Sequence, residues 1–341
     1  MKSVIWGLSP DLTLESIQAL QSNNYFESIE YLIDRNDLPE DERILKHRWE
    51  VDPNIKIFRV NDNSEISYFT AKGVLEFALS KERAFYDDDY RHLIPRRKRV
   101  FEHSAGVIVL SRFGKLFSIV YGNDASFKVR TILMGGGRKH RRRKEWGKIE
   151  QRLFQYRIDN DLFYWMFHKH KQSSLISTPF GDIEIRDVEG IGRLSARNQH
   201  DTRGHGPKSA DELSNKSALG VSQLVYESDI NVVTKDIDLF LCLSEFSESV
   251  VDSTRSIVIN GNLGAVSSIA GYEVEVLIKL YVEIIPSLIS TYNQDISNSR
   301  WTPAIANQAK KEWALEVINE LSEYHHLTRA EILNIPWFNH P

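Results

Sequence analysis

The sequence is 341 residues long and 41% hydrophobic, which is enough apolar content for one large domain or two smaller ones. The formal net charge is only −4, and the single cysteine, Cys242, excludes an intramolecular disulfide framework and a cysteine-rich zinc site. The N-terminus lacks the apolar core and cleavage site of a secretory signal, and the most apolar stretch, residues 274–289, is interrupted by charges and a proline. We therefore expect a soluble cytoplasmic protein.

The first ninety residues are predicted to form helices followed by a β-hairpin. Thr13 is suited to cap a helix whose apolar periodicity continues over residues 14–33. Residues 56–60 and 66–69 alternate with a period of two on either side of a turn-rich segment, which predicts a hairpin. Residues 74–79 favour a short helix after it.

The central part of the chain is predicted to be rich in β-strands. Residues 105–110 and 116–121 are two β-rich runs joined by a short glycine-containing connection, which is typical of a hairpin. Residues 129–133 are predicted to add a third strand. Further strands are predicted at residues 182–188, 236–243 and 256–260.

The C-terminal third is predicted to be helical. Residues 269–285 are apolar except for charges spaced four residues apart, as in a helix buried on most sides. Thr302 followed by Pro303 marks a helix start, and Thr328 with Glu331 has the spacing of a capping box. We expect these helices to pack against the sheet or to form a subunit interface.

These elements predict an α+β fold with a central antiparallel or mixed sheet, N-terminal helices and a C-terminal helical region. The predicted regions are residues 1–90, an N-terminal α/β part; 91–265, a basic and β-rich centre; and 266–341, the helical end. No internal repeat of 20–50 residues is present, which argues against a solenoid.

The positive charge of the chain is concentrated in residues 90–157, here called the basic segment. This segment holds eighteen Lys/Arg and four Asp/Glu, a local net charge of +14, so the rest of the chain sums to −18. Such an asymmetry indicates a polyanionic partner. We predict that the segment binds nucleic acid, with DNA favoured over RNA, by neutralising backbone phosphates. The predicted contacts are Arg96, Arg97, Lys98, Arg99, Arg130, Arg138, Lys139, Arg141, Arg142, Arg143, Lys144, Lys148 and Arg152.

The densest part of the basic segment, residues 138–144, follows three consecutive glycines. These glycines do not form a phosphate loop, because the lysine and hydroxyl positions of that motif are missing. Phosphate contacts position a protein without reading bases, so no sequence specificity is implied. The alternative interpretation is a solvated charged loop.

Aromatic residues lie close to the basic segment in the sequence. Trp146 and residues 163–167 have flat faces that stack well on unpaired bases. A run of five consecutive large residues is more typical of a buried core, and we favour that interpretation.

A metal-dependent nuclease is the main alternative to a binding protein. Residues 182–189 alternate acidic and aliphatic side chains, and Asp182, Glu184 and Asp187 would be its Mg²⁺ ligands. Arg186 stands where a nuclease of the restriction type needs a lysine, and arginine does not give up a proton. A solvated strand face is therefore favoured, no cofactor or metal is expected outside the nuclease alternative, and no catalytic residue is assigned.

A third interpretation is a structural or oligomerising subunit. The acidic residues between positions 27 and 42 are able to pair with the basic segment of a neighbouring copy or of a partner protein. A homo-oligomer or a complex with a protein partner is expected on this interpretation.

Residues 106–226 resemble a loose family of sporadically distributed prokaryotic proteins. The family includes the lambda-type exclusion protein and the B component of the Kiwa antiphage system. Four features carry the resemblance: a hairpin ending at residues 116–122 (LFSIVYG), residues 158–162 (IDNDL), the strand at 182–190, and residues 206–213 (GPKSADEL) before an apolar strand. The resemblance implies a dimeric, α+β, DNA-binding protein of antiphage defence. Where family members have a compact segment after Gly122, this chain has its long Gly/Arg/Lys loop.

Overall fold

The protein has an α+β fold in which every described strand pair is antiparallel. The computed structural model describes residues 2–60, 64–122, 128–135, 144–150, 153–194, 201–205, 208–235, 237–244, 250–252, 257–258 and 272–333. The chain divides into two compact units, and each combines separated stretches of sequence. Unit 1 comprises residues 1–154, 250–252 and 270–282, and unit 2 comprises residues 155–249, 253–269 and 283–341. The three predicted regions are each continuous in sequence, whereas these units are not.

The described strands and helices are numbered in chain order. The strands are β1 (Lys2–Gly7), β2 (Tyr25–Ser28), β3 (Ile44–Val51), β4 (Lys56–Arg59), β5 (Glu65–Ala78), β6 (Val100–Arg112), β7 (Lys115–Gly122), β8 (Leu175–Thr178), β9 (Gly181–Leu194), β10 (Asp201–His205), β11 (Leu224–Val233), β12 (Asp238–Ser244), β13 (Val250–Asp252) and β14 (Ile257–Val258). The helices are α1 (Leu14–Leu20), α2 (Glu40–Arg43), α3 (Arg96–Arg99), α4 (Asn160–Gln172), α5 (Leu213–Gly220), α6 (Tyr272–Lys279), α7 (Ile285–Ser297), α8 (Pro303–His325) and α9 (Arg329–Leu333). No helix in these described stretches has the length and apolarity needed to cross a membrane.

Unit 1 is built on a sheet with the strand order β13-β1-β7-β6-β5-β3-β2, and β4 also pairs with β5. The long strands β5 and β6 pair from Ser67 with Ser111 to Ala78 with Val100. One face of this sheet carries the main apolar core, which includes the buried side chains of Phe69, Leu75 and Val107. The predicted hairpins at residues 56–69 and 105–121 are confirmed.

Three local predictions in unit 1 are wrong. The helix begun by Thr13 ends at Leu20, and the chain then forms β2, because its backbone pairs with β3. Residues 74–79 continue strand β5 through Ala78, since their backbone pairs with the start of β6. Val129–Leu133 is a π-helical turn and not a strand, and its two end residues are buried in the core.

The strands of unit 2 follow the order β10-β9-β11-β12, with β8 paired to β9 and β14 paired to β12. The strands predicted at residues 182–188 and 236–243 are confirmed as β9 and β12, and β14 lies within the predicted strand at 256–260. Helix α4 buries the whole run Leu162–Phe167, so the aromatic residues there form core and not a binding face.

The C-terminal helices of unit 2 begin as their sequence predicts. The Thr302 hydroxyl accepts the Ile305 backbone N–H at the start of α8, and Thr328 and Glu331 form a capping box before α9. The helix predicted at residues 269–285 lies mostly in unit 1, and its described part is α6 followed by a π-helical turn at Leu280–Ile284.

Two carboxylates anchor the aromatic core of unit 2. Asp161 accepts hydrogen bonds from the Tyr292 hydroxyl and the Trp301 indole, each at 2.8 Å. Asp295 accepts the Trp165 indole N–H at 3.0 Å and lies 2.8 Å from the Lys169 ammonium. Burial opposes the ionisation of Asp295, but these hydrogen bonds outweigh it and lower the pKa of its carboxyl.

Candidate functional site

The predicted phosphate contacts that lie on the described surface of unit 1 are Arg97, Lys98 and Lys148, whose side chains are exposed. Lys144 opens a short 3₁₀ turn with Trp146, which is buried in the core. Arg130 is half-buried, with its guanidinium 6.0 Å from the centre of the Trp6 ring. The remaining predicted contacts lie outside the described residues: Arg138, Lys139, Arg141, Arg142, Arg143 and Arg152.

Arg96 and Arg99 do not serve as phosphate contacts, and this part of the prediction is wrong. Arg99 is fully buried, and its Nη2 donates to the Glu42 carboxylate at 2.5 Å and to the Glu42 backbone carbonyl at 2.6 Å. Arg96 donates to the Glu76 carboxylate at 2.5 Å and to the Ile44 carbonyl at 2.8 Å. Both guanidiniums are occupied in holding α3 against neighbouring elements of unit 1.

An exposed aromatic cluster lies directly after α3 in the sequence. Phe101 pairs with Phe77 across β6 and β5, and His103 follows on the same face of β6. The ring centres are 6.1 Å apart for Phe77 and Phe101 and 5.3 Å apart for Phe101 and His103. Phe101 is 43% exposed and His103 is also exposed. We call Phe77, Phe101 and His103 the aromatic platform.

The platform arises because β5 and β6 extend beyond the core that covers the rest of their face. Leu75 and Ala105 on that face are buried, whereas Phe101 and His103 lie past the edge of the covering elements. The ammonium of Lys128, at the start of the π-helical turn, lies 4.0 Å from the centre of the Phe77 ring. A cation and three aromatic rings therefore share one exposed end of the sheet.

A cleft of about 950 Å³ opens beside the platform, and its lining includes Phe77 of the platform and the neighbouring Lys128. Its walls combine apolar side chains, such as Ile29, Leu45 and Ile132, with the polar groups of Glu27 and His47. We call it the His47 cleft.

His47 and Glu27 form the polar wall of the cleft. The pairing of β2 with β3 brings Glu27 close to His47, whose side chain is only 1% exposed. The Glu76 backbone N–H donates to His47 Nδ1 at 3.3 Å, which leaves the proton of the neutral ring on Nε2. That nitrogen lies 3.6 Å from the Glu27 carboxylate, which is 29% exposed.

Two further polar side chains at the cleft, Glu76 and Tyr31, lie next to the arginines of α3. Glu76 is the partner of Arg96 and also accepts the Lys46 backbone N–H at 2.7 Å. Burial raises the pKa of the Tyr31 hydroxyl, and the neighbouring Arg99 guanidinium opposes that rise. The arginines predicted as nucleic-acid contacts thus support the cleft from inside.

The acidic strand of the nuclease alternative does not form a metal-binding cluster with its three predicted ligands. Asp187 accepts the backbone N–H groups of Val188 and Lys208, and Glu184 lies 3.8 Å from Arg186, which also pairs with Asp238. Ile183, Ile185 and Val188 are buried, so a β-bulge at Arg186 shifts the alternation by one residue and leaves Asp187 facing away from the buried side, as Asp182 and Glu184 do.

A different group in unit 2 has the spacing of metal ligands. The potential ligand atoms of Glu227, Asp229 and Cys242 lie within 4.8 Å of one another. Among the described residues, this is the group of at least three His, Cys, Asp or Glu side chains that meets this distance. All three side chains are half-buried, and Asp229 lies directly opposite Cys242 across β11 and β12. A thiolate beside carboxylates suits zinc better than magnesium.

Sequence reasoning missed the platform and the cleft, for a physical reason. The aromatic platform depends on the register that places Phe77 opposite Phe101, and residues 74–79 had been predicted as a helix. The available signal was the alternation of Phe101 and His103 immediately after a basic run. Glu27 and His47 are twenty residues apart in the sequence and carry no motif.

A scan against models of known protein families found no match, and a search of curated proteins found no relative.

Proposed function

We propose that the protein binds nucleic acid through unit 1, with unpaired bases stacked on the aromatic platform and phosphates held by the basic segment. The observation that carries the proposal is the exposed platform at the end of β5 and β6, immediately after Arg97 and Lys98. Aromatic faces beside positive charge are the combination by which proteins hold single strands.

The charge distribution supports the same proposal. The basic segment has a net charge of +14 within a chain of −4, and its exposed members include Arg97, Lys98 and Lys148. Arg96 and Arg99 are excluded from the binding surface because their charges are compensated internally. Each phosphate neutralised on a single strand contributes about −0.7 to the slope of log K against log salt concentration.

Fluorescence anisotropy with a labelled oligodeoxythymidylate of about 12 nucleotides tests the proposal, since single-strand-binding domains cover roughly 4–16 nucleotides. Phe101→Ala should weaken binding about tenfold, because one stacked base contributes about 1–3 kcal/mol. Affinity for a duplex of the same length should change less than about twofold, since paired bases offer no free face. Phe113→Ala is the matched control, because Phe113 is an 80% exposed aromatic residue in the turn between β6 and β7.

The charge contribution is tested by a separate double substitution. Arg97→Ala with Lys98→Ala should reduce the slope of the salt dependence by about 1.4, the loss of two phosphate contacts. Lys235→Ala with Lys311→Ala removes two exposed lysines outside the basic segment and should leave the slope unchanged. Absence of salt-sensitive binding to any single strand or duplex refutes the proposal. A salt-sensitive oligomer without such binding would instead support the interpretation as an oligomerising subunit.

We extend the proposal to antiphage defence on the resemblance of residues 106–226. The assay is the plating efficiency of a phage panel on cells that produce the wild-type protein or Phe101→Ala. Protection that depends on Phe101 supports the extension. Nucleic-acid binding in vitro without protection against any phage removes the extension and leaves the binding proposal intact.

A further inference from the structure

We infer that the His47 cleft binds a guanine base of the single strand, a selectivity that rests on the proposed function and goes beyond it. The cleft and the platform are adjacent, because Phe77 belongs to both and the Lys128 ammonium, which lines the cleft, lies 4.0 Å from the centre of the Phe77 ring. A base stacked on Phe101 therefore lies beside Phe77, and the next nucleotide of the strand is close to the mouth of the cleft. Single-stranded nucleic acids are commonly read in this way, with a base turned out of the stack and bound along its edge.

The charges of the cleft decide which part of a nucleotide enters it. Glu27, Glu30 and Glu82 line the cleft and repel a phosphate group. Lys81 and Lys128 also line it, and both have exposed side chains suited to a phosphate near the surface. The apolar side chains of Ile29, Leu45 and Ile132 provide walls for a flat ring. The base enters and the backbone stays outside.

The carboxylate of Glu27 decides which base is preferred. An ionised carboxylate only accepts hydrogen bonds, and its two oxygens match two adjacent N–H donors. Guanine presents that pair at N1 and N2, whereas adenine and cytosine offer one exocyclic amino group beside an acceptor. His47 lies buried behind Glu27, with its Nε2 3.6 Å from the carboxylate, so Glu27 and not His47 meets the base.

The test compares an all-thymidine oligonucleotide with the same strand carrying one central guanine. The wild-type protein should bind the guanine-containing strand about tenfold more tightly, the discrimination typical of one bidentate pair. Replacing that guanine by hypoxanthine removes the N2 amino group, and most of the preference should then disappear. This second arm uses the unmodified protein, so it remains decisive even if a variant fails to fold.

Glu27→Gln should abolish the preference for guanine, because the side-chain amide presents a donor where guanine needs an acceptor, and a wild-type midpoint of urea unfolding reports that the variant is folded. Glu82→Gln is the matched control, since it removes a carboxylate from another part of the same cleft and should keep the preference. Equal wild-type affinity for both strands overturns the inference but leaves the proposed function standing. Failure to bind either strand overturns both, and a preference that survives in Glu27→Gln refutes the assignment of this residue.

Discussion

Removing the Glu42 carboxylate should destabilise unit 1 without weakening nucleic-acid binding by the folded protein. Arg99 is fully buried, and Glu42 supplies the carboxylate and the carbonyl that its Nη2 contacts at 2.5 and 2.6 Å. Glu42→Ala leaves the carbonyl in place and removes the only negative charge in that pair. A buried guanidinium then has to remain ionised without its counter-ion, because arginine does not lose its proton.

The expected loss is about 2–3 kcal/mol. Breaking a buried ion pair by removing one partner costs about 3–5 kcal/mol. The Glu42 side chain is 33% exposed, so water compensates for part of the missing charge and the loss falls at or slightly below the lower end of this range. With a urea m-value of about 2–3 kcal/mol/M, the unfolding midpoint should fall by about 1 M.

Urea denaturation followed by tryptophan fluorescence measures this shift. The matched control is Glu102→Ala, which removes the partner of Arg48 in a surface pair whose side chains are 37% and 52% exposed. Exposed pairs contribute about 0–1 kcal/mol, so the control should shift the midpoint by less than about 0.5 M. An unchanged midpoint in Glu42→Ala together with weaker oligonucleotide binding would show that Arg99 faces the ligand, and our reasoning about the buried pair would be wrong.

Three further outcomes are expected. Asp295 has a pKa below its ordinary value of 3.8 in the folded protein, so its contribution to stability is present above that value and is lost as the pH falls through the folded pKa. The Asp295→Asn variant should therefore lose less stability than the wild type on acidification below about pH 5. Equal acid sensitivity of the two proteins would contradict this. Gly106→Ala should lower the free energy of unfolding by about 1–3 kcal/mol, because its new Cβ would lie 2.2 Å from the Tyr121 ring. The same urea unfolding measures this loss. A variant of wild-type stability would show that the ring moves away freely. Replacing Arg141, Arg142 and Arg143 by alanine should weaken binding to strands of every sequence about equally. It should also reduce the slope of log K against log salt concentration by about 2. An unchanged slope in anisotropy titrations would show that these arginines do not contact the nucleic acid.

The sequence alone was sufficient for features that depend on near neighbours in the chain. The β6–β7 hairpin follows from two alternating runs around a short turn, and the starts of α1, α8 and α9 follow from Thr13, Thr302 and Thr328. The burial of Leu162–Phe167 also followed from local density of large side chains. In the hairpin and the helix starts the interacting groups lie within a few residues of one another, so the pattern contains the physical cause.

Tertiary structure decided the features that depend on distant partners. Residues 74–79 have apolar spacing that suits a helix, yet pairing with β6 holds them in a strand, because sheet hydrogen bonds come from residues more than twenty positions away. The same pairing creates the aromatic platform by joining Phe77 to Phe101. Val129–Leu133 is rich in β-branched residues, but burying both of its ends against the core selects a π-helical turn.

The four basic residues at positions 96–99 show most clearly what the sequence alone does not determine, because the fold separates them into two that pair with carboxylates and two that are exposed. Arg96, Arg97, Lys98 and Arg99 are four consecutive positive charges in the sequence, and their order does not distinguish them. The single turn of α3 directs Arg96 and Arg99 toward Glu76 and Glu42, while Arg97 and Lys98 remain exposed to solvent. Net charge is fixed by composition, but which charges are available to a ligand depends on the carboxylates that the fold brings beside them.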